Sequence, residues 1–436
     1  MESVPASSGK PRLAIVGTGI AGLGCAWFLR ERFDLTLFEQ NGYAGGHTHT
    51  IDVGDPSNSV AFDTGFMVFN RITYPNLCRF FEELKVPVKP TSMSFSVQHR
   101  PAGLEFCGSG WNELFAQRRN LVRPRFWRLL ASIHRFNRDA VEALTDSRWQ
   151  AVTLGEYVRQ RRYGSDLLDL YLVPMSSAVW STPADGILDF PALTLIRFFH
   201  NHGFLGLHTQ HPWWTVDGGA REYVRRLWPI FGDRIRLRSP VNQVRRAAGG
   251  GAIVDVRDGK SESFDRVILA CHADQSLAML TDADDRERRV LAEFRYQPNL
   301  ATVHTDARVM PKQRLAWSSW NYRVEATRDG GTRAQTIYWM NRLQDLRSPT
   351  QYFVSINGQD DIAPDQVIRQ IPYEHPLFSL GAVRAQSDLP ALNRRSPEQS
   401  VFFAGSYFRY GFHEDAFTSA LECAAAVRDA EGAVRS

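Results

Sequence analysis

The sequence is poor in the features that would assign it quickly. Five cysteines are scattered over 436 residues, odd in number and never in a CxxC pair, which excludes a disulfide framework and a cysteine zinc site. Strong charge of either sign is missing too: 51 Lys and Arg stand against 47 Asp and Glu, a net +4, so overall charge gives no reason to expect nucleic acid. The longest uncharged run, Leu13 to Leu29, is broken by Gly17, Gly19, Gly22 and Gly24, and no membrane span is expected. Residues 1–10 lack the charged-then-apolar order of a secretory signal and read as a frayed tail. No solenoid repeat is present. A reducing, cytoplasmic setting fits these absences best.

The breaks in the longest apolar run carry the first positive signal. Pro11 to Gly17 reads as a strand, Ile20 to Arg30 as a helix and Asp34 to Glu39 as a strand, with GTGIAG at the first turn. In such a βαβ unit Gly17 serves the tight turn, Gly19 the approach of a pyrophosphate and Gly22 the packing of helix on strand, while the helix N-terminus faces the phosphates. Glu39 ends the second strand about 20 residues on, where an acid accepts from ribose hydroxyls. A dinucleotide is therefore expected. The following stretch GGHTHT, Gly45 to Thr50, admits two readings. His47 and His49 could be metal ligands, but no third or fourth ligand is spaced locally, so a backbone pressed against a cofactor is favoured.

Downstream, Tyr74 to Val86 reads as a helix, Met93 to Gln98 as a strand and Trp111 to Tyr171 as mostly helical. Strands follow at 234–237, 241–246, 252–257 and 264–270, with turns at Gly249 to Gly251 and Asp258-Gly259. More are expected at 301–305, 335–340, 352–356 and 401–404, before a last helix from about Glu414 to Val427.

Together VGTGIAGLGCAWFL with Glu39, the glycine pair, WWTVDGGAREYVRRL (213–227), FDRVILACHADQSL (264–277) and FFAGSYFRYGFHEDAFTSA (402–420) resemble the flavin amine oxidase-like superfamily. Its relatives include monoamine oxidase, protoporphyrinogen oxidase, phytoene desaturase and a polyunsaturated fatty acid isomerase. Within it the chain most resembles FAD-binding proteins encoded beside cyclopropane fatty acid synthases. The resemblance implies an α/β fold: a Rossmann-like FAD-binding domain of amine oxidase type, interleaved with a mixed-sheet substrate domain and a helical cap. The expected FAD-binding domain comprises 1–75, 208–295 and 395–436, and the substrate domain 76–207 and 296–394.

The same resemblance implies FAD contacts at Gly17, Gly19, Ile20, Ala21, Gly22 and Glu39, then at Gly45, Gly46, His47 and Thr48, and at Gly65, Phe66 and Met67. Val241 is expected beside the adenine, with Ala270, Gly405, Ser406, Phe412, His413 and Glu414 completing the cofactor set. Three departures stand out. Tyr43 and His47 occupy positions that are arginines in the family, Ser406 replaces an acid, and Asp415 replaces a turn glycine. No cysteine lies between 272 and 422 to anchor a thioether, so FAD is expected to be non-covalent.

The strand NLATVHTD (299–306) lacks the lysine of amine oxidases, which demotes amine oxidation. Instead, an aromatic-rich cap that includes Phe198, Phe204, Trp213, Tyr338 and Tyr373 points to a long apolar substrate. The expected activity is hydride transfer from an unsaturated or methylated fatty acyl chain, free or in phospholipid, to FAD, with Tyr407, Tyr410 and His413 as candidates for the proton. The alternatives are a redox-neutral double-bond isomerase, an amine oxidase, and a non-catalytic flavoprotein partner of a lipid methyltransferase.

One further stretch stands apart. Between Gln117 and Arg138 seven arginines occur with no acid, and Phe126, Leu129, Leu130, Ile133 and Phe136 recur at helical spacing. This reads either as a helix lying on an anionic membrane surface, peripheral to the inner face, or as a core helix with a solvated basic face.

Overall fold

Apolar runs too short for helices become the strands of a parallel sheet. Arg12–Val16 lies between Asp34–Phe38 and Arg266–Leu269, with Ile235–Arg236 at one edge and Val401–Phe403 at the other. Both faces of the sheet are covered, which is why its strands read as continuous apolar runs rather than alternating ones. The structure, a computed structural model, describes residues 9–54, 59–182, 184–206, 209–257, 259–327 and 331–435. Residues 1–8 of the expected tail and Asp258 of the expected turn lie outside them.

The helix Ile20–Leu29 is buried almost all round and crosses the last helix, His413–Arg435. That crossing is close because Gly24 has no side chain; a Cβ there would sit 2.9 Å from Ala420 Cβ. A three-stranded antiparallel sheet, Val241–Arg246, Ala252–Val256 and Ser261–Phe264, packs against the other side of the parallel sheet.

The largest sheet has seven strands. From one edge the order is Val367–Leu377, Arg295–His304, Phe353–Ile356, Thr332–Trp339, Trp320–Ala326, Phe95–His99 and Leu104–Cys107. Only the pair Trp320–Ala326 and Phe95–His99 is parallel, so the sheet is mixed. The helices Pro124–Ala143, Leu154–Gln160, Val173–Trp180 and Ala192–Asn201 form a cap over it, with Phe136, Tyr157, Leu195 and Phe199 in their shared core. Val173–Trp180 ends in Ser181 at φ 51°, a left-handed residue that turns the chain sharply at the end of the helix.

Several expected boundaries move. The last helix is longer than expected, His413–Arg435, and the strand expected at 234–237 contributes only two residues, Ile235–Arg236. The strand Val367–Leu377 was not expected at all. Its sequence VIRQIPYEHPL carries Pro372 and Pro376, which argue against a central strand, but it sits at a sheet edge and needs partners on one side only.

The closest backbone approach in the parallel unit makes a direct test. A Cβ added at Gly22 would meet the Gly17 carbonyl oxygen at 2.0 Å and its carbon at 3.0 Å, main-chain atoms that cannot yield as the end of a flexible side chain could. Gly22→Ala is expected to cost about 3 kcal/mol or more, the upper range for overpacking, read as a lowered denaturation midpoint. A midpoint within error of the parent would show that this approach is looser than drawn.

Candidate active site

The two glycine turns meet backbone to backbone. Gly17 adopts φ 102°, and a Cβ on it would lie 2.6 Å from the Ala270 oxygen. Gly45, at φ 126°, forms a parallel bridge with Gly19 and donates its N–H to the Thr18 oxygen at 3.0 Å. A Cβ on Gly19 would meet nothing within 4 Å: this residue looks into open space. The first amides of the helix Ile20–Leu29 have no intrahelical partner and no side-chain cap, so the site presents donors and the positive end of a helix dipole to an anion.

A cavity of about 850 Å³ adjoins this point. Its lining includes Glu39, Ser239, Pro240 and Val241, then His47, Gly65, Phe66, Met67, Gly405, Ser406, Phe412 and His413, and an aromatic chamber of Trp180, Phe198, Phe204, Trp213, Trp320 and Tyr338. Among the described residues no lysine or arginine lines it. Of the expected cofactor residues, Gly17, Gly19, Ile20, Ala21 and Ala270 line the cavity as well, whereas Gly22 packs under the first turn.

Glu39 is already engaged by its own chain. Thr18 donates to its Oε2 through N–H (3.2 Å) and hydroxyl (2.6 Å), and Asn41 donates to Oε1 through N–H (2.8 Å) and Nδ2 (2.9 Å). The carboxylate is thereby held at the cavity wall, and each oxygen keeps little further accepting capacity.

His47 and His49 face different surroundings. His49 stacks on Tyr43 at 4.4 Å and its Nδ1 meets the Tyr373 hydroxyl at 2.9 Å. His47 lines the cavity and stacks on Tyr373 at 5.1 Å, with His375 at 5.6 Å and His272 at 6.3 Å. Burial, and then the neighbouring His272, lower its pKa to about 4, so it enters neutral solution uncharged. Thr48 does not line the cavity but braces it, bonding the Tyr223 hydroxyl and His413 Nε2, the latter at 3.0 Å. His413 in turn stacks on Phe66 at 3.7 Å, and burial lowers its pKa to about 3.

The acids after Gly411 hold the backbone instead of facing the cavity. Glu414 accepts from Asn76 N–H, Asn76 Nδ2 and Leu77 N–H at 3.0, 2.9 and 2.9 Å, capping the helix Pro75–Glu83. Asp415 accepts the Phe412 N–H at 2.9 Å, and the left-handed residue of the turn is Gly411 at φ 94°, so an aspartate at 415 is compatible with it. Burial raises Asp415 to about 7.

The three proton candidates are dispersed. His413 borders the cavity. Tyr407 touches its wall, but the side chain is buried against Phe294 and Phe408 and its hydroxyl finds no partner. Tyr410 is not among the lining residues; its carbonyl accepts the Trp180 indole N–H at 3.1 Å. His375, His272, Ser181 and His202, none of them named as site residues from the sequence, line the cavity, as does Tyr373, expected there only as one of the cap aromatics. Tyr373 and His375 alternate on the proline-bearing edge strand, a period of two that the prolines obscured.

Six buried histidines, His47, His202, His272, His304, His375 and His413, have pKa values lowered to about 3 or 4, each chiefly by burial. The unfolded chain therefore binds more protons at these sites between about pH 4 and 6.5, so their contribution is present above 6.5 and is lost on acidification. Asp63 and Asp415, raised to about 6 and 7, act oppositely, as do Asp169, Asp274 and Glu414, raised chiefly by burial, while Asp52, Asp166 and Asp306, lowered by their arginine partners, act with the histidines. The thermal midpoint is expected to fall as pH drops from 7 to 5; a flat or rising midpoint would mean that these rings carry their protons in the fold.

Comparison with known proteins bears on this geometry. The family model for flavin containing amine oxidoreductase matches residues 20–371. A CLA-producing fatty acid isomerase from P. acnes superposes with a TM-score of 0.67 at 14% identity, covering 95% of this chain and 98% of that one. Cyclohexylamine oxidase from Brevibacterium oxydans IH-35A gives 0.68 at 15% identity, over 98% of this chain and 100% of the other. A 1-hydroxycarotenoid 3,4-desaturase from Flavobacterium sp. (strain P99-3) is 41% identical over 64 residues, which span 14% of this chain and only 12% of that protein. With the family match running from the first glycine turn through most of the seven-stranded sheet, the chain belongs to the flavin containing amine oxidoreductase family and is a flavin-dependent oxidoreductase.

Proposed function

We propose that the protein binds FAD without a covalent link and oxidises unsaturated or methylated fatty acyl chains. One observation carries this reading: the cavity joins the glycine turns to an aromatic chamber with no lysine or arginine on its walls among the described residues. The residues fit the cofactor, since Gly19 leaves open space beside free helix amides and Gly46 packs close to Gly19. Bound there, FAD supplies a hydride acceptor.

The chain's own residues supply the rest. Trp180, Phe198, Phe204 and Phe412 form an apolar wall that excludes water and aligns a hydrocarbon chain; Phe198 and Phe412 stack at 5.2 Å. The indole N–H groups of Trp213 and Trp320 are buried at this chamber without a partner among the described residues, two donors for a polar head such as a carboxyl or ester carbonyl. His413, kept uncharged by burial and tethered through Nε2 to Thr48, borders the cavity as a neutral hydrogen-bonding imidazole and is the candidate to pass a proton on. Cys271 is the one cysteine at the cavity wall, and burial pushes its thiol up to about 12, which leaves it a poor nucleophile for a thioether. The likeness to a fatty acid isomerase and, over a short segment, to a carotenoid desaturase is compatible with an apolar chain as substrate.

Anaerobic titration of the flavin-loaded protein with unsaturated free fatty acids and phospholipids tests the proposal. Bleaching of the oxidised flavin band is the expected result. An intact band with moved double bonds would mark an isomerase; bleaching by primary amines alone would return the protein to amine oxidation, and lipid binding with neither would leave a non-catalytic flavoprotein. A carboxylate placed in the chamber by Phe204→Glu is expected to lower acyl turnover by about 100-fold or more while the flavin spectrum persists. Unchanged turnover would place the chain elsewhere.

A further inference from the structure

The basic stretch folds in a way that separates its two sequence readings. In the helix Pro124–Ala143 the apolar stripe turns inward: Phe126, Leu129 and Phe136 are buried, the first two against Phe106, Phe115 and Leu170. That stripe is part of the core and cannot enter a membrane, which corrects the reading of a helix lying on its apolar face. What stays outside is a different set of side chains.

Val122 is 82% exposed and Trp111 71%, the two most exposed large apolar residues described, and Leu121 and Trp127 are about half exposed. Leu315, also exposed, sits on the short turn Arg314–Ala316 that packs beside the helix Trp111–Leu114. Five of the ten large apolar side chains left exposed among the described residues thus share one face. They are held outward by structure: Trp111 stacks on Phe115 at 6.3 Å, Phe115 packs on Trp127 at 5.5 Å, and the Trp127 indole N–H donates to the Leu121 oxygen at 2.9 Å.

Around them lie arginines without counter-charges. Arg118 donates to Asn112 Oδ1 at 2.6 Å and to two backbone oxygens, Arg119 to the Gly103 oxygen, and Arg123 to the Gly103 oxygen and Asn120 Oδ1. Arg125 pairs with Asp166 at 2.6 Å. Among the described residues no carboxylate pairs with Arg118, Arg119, Arg123 or Arg128; Glu113 is the one acid between Trp111 and Arg138 on the exposed side of the patch.

We propose that this face docks the protein on an anionic phospholipid bilayer, with Trp111, Leu121, Val122 and Trp127 at the boundary of headgroups and acyl chains and the unpaired arginines on the phosphates. Tryptophan with arginine is the combination that settles at that boundary, the ring taking the apolar side and the guanidinium the anionic side. A second copy of the chain is a poorer occupant, because a two-fold contact would set the same arginines against each other. The docking face is independent of the substrate proposed above, and its test does not involve turnover.

The flavin-loaded full chain is sedimented with vesicles of phosphatidylcholine alone and of phosphatidylcholine mixed with phosphatidylglycerol. Binding is expected only to the mixed vesicles, and raised salt should release it. Loss of each arginine should weaken it roughly fivefold, so Arg118→Glu with Arg128→Glu should cut binding about 25-fold or more. Trp111→Ser with Val122→Ser should do the same, and because all four positions are exposed both variants should keep the parent's visible spectrum and thermal midpoint. No binding to anionic vesicles, or binding that both variants leave unchanged, would overturn the proposal. A concentration-dependent dimer abolished by Trp111→Ser with Val122→Ser would overturn it in favour of a contact between copies.

Discussion

Contact between two glycine turns is the constraint on which the site depends. Gly45 reaches Thr18 and Gly19 through backbone alone, and no residue with a Cβ could occupy Gly17 or Gly22 without displacing main chain. This contact ties the segment carrying His47 and Thr48 to the first βαβ unit. Thr48 then bonds His413, and His413 stacks on Phe66, so residues from four distant parts of the chain converge at one end of the cavity. Side chains hold the partners of this contact, but backbone geometry sets it.

Charge is distributed around that contact in an unusual way. The cavity proposed to receive FAD has no lysine or arginine on its wall among the described residues, and its histidines are kept neutral by burial. Amide groups and the helix dipole are what remain to face a diphosphate. The buried carboxylates do structural work instead. Asp63 accepts the Ala220 N–H at 2.9 Å and a Gln344 Nε2 hydrogen at 2.7 Å, joining the paired strands Thr50–Val53 and Val60–Asp63 to the helix Arg221–Phe231 and to the end of the short helix Met340–Leu343. Glu414 joins the first residue pair of one helix to the start of the last. Losing a carboxylate in either place would leave buried amides unpaired, which costs more than the hydrogen bonds themselves return.

Apolar surface shows the same division of labour. The cap's aromatic residues are mostly core, as Phe190 and Phe199 illustrate, and only a subset such as Phe198, Phe204 and Trp213 reaches the cavity. The basic helix uses its periodic apolar face for packing, while Trp127, which breaks that period, and Trp111 on the short helix before it are left to solvent. Periodicity therefore reports what is buried, and the exceptions to it report what the surface is for.

The amino-acid sequence by itself determined the parallel unit and its glycine turns, because a GxGxxG turn between strand and helix is written in adjacent residues and needs no distant partner to be recognised. It also determined that a cofactor-sized groove follows and that the third glycine packs beneath it. Only the tertiary structure decided the roles of Tyr373 and His375, hidden on a strand whose prolines are tolerated at a sheet edge. Tyr407 and Glu414 looked like site residues because they flank the last turn, yet one hydroxyl points into core and the other side chain caps a helix 337 residues away in sequence. Side-chain direction is set by which elements pack together, and that is a property of contacts between distant residues that no local spacing contains.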